Sequence, residues 1–64
     1  MALAFKVGDW VAVPVVGAAT PRMGVVEREE VDHAVGQVFI VRFQSGATAR
    51  LTSCEMEPTE KASW

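Results

Sequence analysis

Val38-Phe39-Ile40-Val41-Arg42-Phe43-Gln44-Ser45-Gly46-Ala47-Thr48-Ala49-Arg50-Leu51-Thr52 reads as two strands joined by a tight turn. β-branched and aromatic side chains fill the first arm, and such residues favour a pleated, half-buried surface. Gln44-Ser45-Gly46 suits a three-residue hairpin loop with glycine at its last position. That loop sets the register. Phe43 then faces Ala47, Val41 faces Ala49 and Phe39 faces Leu51, with large side chains against smaller ones on a core face. The other face pairs Arg42 with Thr48, Ile40 with Arg50 and Val38 with Thr52, a solvent face of two arginines and two aliphatics. A slip of one residue would turn Arg50 into the core, so the register is strongly specified.

Upstream, Gly8-Asp9 forms a turn pair that launches Trp10-Val11-Ala12-Val13, which Pro14 ends because proline donates nothing to a ladder. Alternation sets Val11 and Val13 on one face, Trp10 and Ala12 on the other. Residues 14–23 are too broken by proline and glycine for a regular element, yet unusually apolar for a loop. They are expected to fold back across the molecule or to meet a partner. Gly24-Val25-Val26-Glu27-Arg28-Glu29 reads as a second strand, followed by a surface turn over 32–37 that contains His33 and Gly36. A short helix over Glu27 to Val35 is an alternative reading of that segment.

Downstream, Ser53-Cys54-Glu55-Met56-Glu57-Pro58 suggests one helical turn capped by Ser53, leading to a last short strand or the chain end. Residues 59–64 read as a polar tail ending in Trp64, after a single domain over 1–58.

The chain has 64 residues, half of them hydrophobic, which is enough for one compact core and argues against disorder. Its net charge is −2, from 8 acidic and 6 basic side chains. Binding nucleic acid mainly by charge requires clustered Lys and Arg, and this composition offers no such field. The single cysteine, Cys54, excludes an internal disulfide framework, and no Cys/His cluster suggests structural zinc. The N-terminus lacks a signal-peptide pattern, and no apolar run approaches the ~20 residues of a spanning helix. A cytoplasmic protein without membrane attachment is expected.

Four or five short strands without a long covering helix bury their apolar face by curling. The expected fold is therefore all-β: a small, five-stranded SH3-like barrel with a short helical turn near the C-terminus. Lys6-Val7-Gly8-Asp9-Trp10-Val11, the proline-bearing connection, Gly24-Val25-Val26, Val41-Arg42-Phe43 with Gly46, and Met56-Glu57-Pro58 follow one another in a familiar order. The pattern resembles the Tudor-like barrel that ends UvrD-type helicases and related stand-alone bacterial proteins of unassigned function. It is more distantly similar to KOW and CarD-type modules. The resemblance spans roughly Phe5 to Pro58 and implies docking to RNA polymerase or another protein of nucleic-acid metabolism. This chain departs from the nucleic-acid-binding versions in lacking a basic surface, so protein docking is the implication that carries over.

The candidate binding surface comprises Trp10, Val15, Val16, Arg22, Ile40, Arg42 and Arg50. Tryptophan dominates interface hot spots, and the bland alternative is that Leu3, Phe5 or the long loop covers Trp10. Arg42 and Arg50 are able to grip a carboxylate or phosphate, but arginines so placed more often pair with carboxylates of the next strand, here Glu27 or Glu29. Val15, Val16, Val38 and Ile40 together suggest an apolar patch that would support a homo-oligomer. The acidic run Glu27, Glu29, Glu30, Asp32 lacks the spacing of a hard-cation loop and reads as a solvated face. His33 has no nucleophile at a recognisable spacing, and Cys54 reads as a small buried residue. No catalytic residue, metal or cofactor is expected.

The leading expectation is a non-catalytic module that binds an as yet unknown protein partner in transcription or DNA repair. An accessory subunit of a larger complex is the alternative. An oligomeric barrel enzyme resembling type II dihydrofolate reductase is a weaker one, since that enzyme's Val-Gln-Ile-Tyr pore segment has no match at Thr48-Ala49-Arg50-Leu51.

Overall fold

A computed structural model describes residues 5–61 as one antiparallel sheet. The strands are β1 (Trp10–Val13), β2 (Arg22–Asp32), β3 (Gly36–Phe43), β4 (Thr48–Leu51) and β5 (Glu57–Pro58), with a 3-10 turn over Ser53–Glu55 between the last two. Their order in the sheet is β4-β3-β2-β1-β5. The all-β expectation and its five strands hold. The sheet is not closed: β5, only two residues long, pairs with β1 and leaves β4 as the other edge.

The hairpin that decided the fold has the expected register, with Phe39 opposite Leu51, Ile40 opposite Arg50, Val41 opposite Ala49 and Arg42 opposite Thr48. Gly46, at φ 93°, supplies the left-handed residue of the loop. The Phe43 N–H donates to the Ala47 carbonyl at 2.9 Å. The expected pairing of Val38 with Thr52 does not form. The Thr52 N–H donates instead to Glu55 Oε1 at 3.1 Å, and its hydroxyl to the same oxygen at 3.0 Å. Thr52, not Ser53, is thus the residue that opens the 3-10 turn.

β2 is longer than its apolar pattern suggested, extending from Arg22 to Asp32, and strand replaces the helical alternative there. The reason is a bulge. Val26 faces Val41, but Arg28 faces Ile40, so Glu27 is an extra residue. Uninterrupted alternation from buried Val26 would have turned Arg28 inward; the bulge sets Arg28, Glu30 and Asp32 outward. The turn that follows is held by the Asp32 carboxylate, which accepts from the Ala34 and Val35 N–H groups at 2.7 and 3.2 Å.

The core comprises Phe5, Val11, Val26, Phe39, Val41, Phe43 and Met56, with Val13, Ala49 and Leu51 packed against it. Phe5 meets Phe39 edge-on, with ring centroids 5.5 Å apart. Met56 is buried, whereas Cys54, expected to be, is exposed, because no side chain of the 3-10 turn reaches the core.

Candidate protein-binding surface

The outward face is apolar where β1 pairs with the first half of β2. Trp10 stands opposite Val25, and Ala12 opposite Met23, on the side of the ladder away from Val11 and Val26. All four are half-buried. The Lys6–Asp9 turn fixes this end of β1. Lys6 N–H donates to Asp9 Oδ2 at 2.9 Å, Asp9 N–H to the Lys6 carbonyl at 3.0 Å, and Gly8 N–H to the Val26 carbonyl at 2.8 Å. At the other side of β1, the Trp10 carbonyl accepts from the Thr59 N–H at 3.0 Å. Met23 and Val25 were not singled out from sequence, although alternation from buried Val26 already placed Val25 outward.

The connection after β1 runs over 14–21, two residues shorter than expected because Arg22 and Met23 join β2. The Ala18 N–H donates to the Val15 carbonyl at 3.1 Å, and Gly17 takes φ 84° in the turn they close. Val15 is 39% exposed and Val16 fully so. A pocket of about 220 Å³ lies between this loop, Ala12 and Glu57.

Ile40 and Val38 do not extend this surface. They are 6% and 4% exposed, so the patch expected of Val15, Val16, Val38 and Ile40 reduces to the two loop valines. Ile40 lies in a row between Arg50 on β4 and Arg28 on β2, and arginine stems cover an aliphatic neighbour while their charged heads stay wet. Those heads are occupied. Arg42 pairs with Glu27 at 2.6 Å, and Arg28 with Glu30 at 3.4 Å. Arg50 reaches across β3 to Glu30 at 3.6 Å and Asp32 at 3.5 Å. The bland reading of Arg42 and Arg50 therefore describes them, with Glu30 and Asp32 in place of Glu29.

Arg22 differs. Its guanidinium carbon sits 4.0 Å from the centroid of the Phe43 ring, and among the described residues it forms no ion pair. It lines a cleft of about 370 Å³ with Pro21, Met23, Phe43, Gln44 and Ser45. His33 is exposed in the β2–β3 turn. Among the described residues no group of three or more His, Cys, Asp or Glu is arranged to hold a metal ion, and no helix is long and apolar enough to cross a membrane. Leu3 and Trp64 lie outside the described residues.

No protein-family model matches the chain, and no curated protein or solved structure matches it.

Proposed function

We propose that this chain is a non-catalytic binding module of SH3-like, Tudor-like type that docks a protein partner through the outward face of β1 and β2 and the 14–21 loop. The carrying observation is the run of apolar side chains Trp10, Ala12, Met23 and Val25 on that face, prolonged by exposed Val15 and Val16. A docking surface needs an aromatic anchor ringed by groups that exclude water, and Trp10 with its neighbours has that composition. The return of β5 to β1 after a 3-10 turn supports the SH3-like reading. The resemblance to UvrD-type terminal barrels supports a partner in transcription or DNA repair, and the net charge of −2 favours protein over nucleic acid.

Arg42 and Arg50 play a structural part in this reading, as cover and ion-pair partners. The test is quantitative co-purification from native lysate with Val16→Asp and Trp10→Ala variants, against Arg50→Gln. Loss of the same partner in both apolar-surface variants, with retention in Arg50→Gln, supports the assignment. A partner unaffected by Val16→Asp and Trp10→Ala places docking elsewhere.

A further inference from the structure

We infer that the cleft at the end of β2 and β3 is a carboxylate-binding subsite, in which Arg22 receives an acidic side chain of a protein partner. This rests on the protein-docking reading above and specifies the chemistry of the partner's contact.

The chain has four arginines. Three of them, Arg28, Arg42 and Arg50, are each held by a carboxylate of β2. Arg22 has an aromatic ring instead, 4.0 Å below its guanidinium carbon. The ring is an uncharged partner that accepts none of the guanidinium N–H groups as a carboxylate would, and the N–H fork of an arginine matches the two oxygens of a carboxylate. The ring is itself fixed, since Phe43 is a buried member of the core. The donor is thus pre-oriented, which lowers the ordering cost that an exposed arginine normally incurs on binding.

The surroundings suit an anion attached to a peptide. Gln44 and Ser45 of the β3–β4 loop line the cleft and add polar groups, while Pro21 and Met23 provide apolar wall. Pro21 also lines the pocket beneath the 14–21 loop, so the Arg22 cleft and that pocket adjoin at this residue. The acidic residues Glu29, Glu30 and Asp32 lie towards the opposite end of β2, which leaves Arg22 as the positive end of that strand.

A phosphodiester chain fits less well. It carries a charge at every nucleotide and needs a track of cations. This cleft has one cation, and neither lysine of the chain lines it.

The experiment is a titration of the whole ¹⁵N-labelled chain, read at the Arg22 Nε–H and the Gln44 and Ser45 amides. The probes are acetyl-Glu-Glu-Leu-amide, its counterpart acetyl-Gln-Gln-Leu-amide, and a short deoxythymidine strand. The expected result is saturable shifts at all three groups with the Glu peptide, at least about tenfold weaker binding of the Gln peptide, and loss in Arg22→Gln. Arg22→Lys retains the charge but not the fork and is expected to bind more weakly than wild type and more tightly than Arg22→Gln. Both variants keep the native amide spectrum away from the cleft if they remain folded.

Equal response to the two peptides, shifts centred on Arg42 or Arg50, or saturation by the oligonucleotide alone would overturn the inference. Failure here alongside partner loss in Val16→Asp removes only the carboxylate subsite. Failure of Val16→Asp as well removes the docking reading.

Discussion

Gly24 and Phe43 face one another across β2 and β3, and the side chain of Val41, two residues before Phe43 on β3, occupies the space a side chain on Gly24 would need. A Cβ there would overlap the Val41 side chain and stand 3.2 Å from Phe43 Cδ1 and 3.0 Å from the Arg42 carbonyl oxygen. Gly24 is thus chosen for close approach: its φ lies in the ordinary negative range, unlike that of Gly46. Gly24→Ala should overpack the core and cost about 1–3 kcal/mol, measured as a fall in the urea midpoint at unchanged slope. A cost below about 0.5 kcal/mol would show that β2 and β3 separate there without penalty.

The outward ion pairs should matter as cover more than as charge. Arg50→Ala removes both the long side chain paired with Ile40 and the contacts to Glu30 and Asp32, whereas Arg50→Met keeps an aliphatic stem at that position. Exposed pairs contribute ~0–1 kcal/mol, so Arg50→Met should be clearly milder than Arg50→Ala in thermal or urea unfolding. Equal losses would assign the whole effect to charge.

Asp32 should make the β2–β3 turn acid-sensitive. The N–H groups of Ala34 and Val35 are the main cause holding its carboxyl below the ordinary value of 3.8, with Arg50 assisting. A carboxyl whose folded value is depressed contributes stability that is fully present above its unfolded value and is lost as pH falls through the folded one. The wild-type chain should therefore lose more stability than Asp32→Asn between about pH 6 and the range below the ordinary value. Parallel pH profiles for the two proteins would contradict this.

Phe5 lies before the first strand yet belongs to the core, edge-on to fully buried Phe39. Phe5→Ala should cost about 3–5 kcal/mol, a large share of what so small a domain has, and should show as a strongly lowered melting temperature. A shift of only a degree or two would mean that the core closes without the segment before β1.

Much of this was legible in the sequence because few physical rules conflicted. Gly46 fixed the hairpin loop and Arg50 fixed its register, so the β3–β4 pairs followed from loop length and alternation. The failures are local and have causes. A bulge at Glu27 is not encoded in a period-two pattern, so the reach of β2 to Asp32 and the outward turn of Arg28 escaped notice. Ile40 alternates outward as expected, but alternation carries no information about its burial between Arg28 and Arg50 of the two neighbouring strands. Cys54 is of a type that favours burial, but the 3-10 turn holds it in solvent and Met56 takes the core position. Arg22 was already a candidate, but its stacking on Phe43 depends on the pairing of β2 with β3, which no local signal specified.

The most direct test of the docking surface is light scattering on the purified chain beside its Val16→Asp variant. The expected result is a monomer near 6.9 kDa in both, with the same stability, since the proposed docking assigns fully exposed Val16 to a different protein. A wild-type dimer or larger assembly that Val16→Asp returns to monomer would contradict it, since that surface would then be covered by a second copy of the chain.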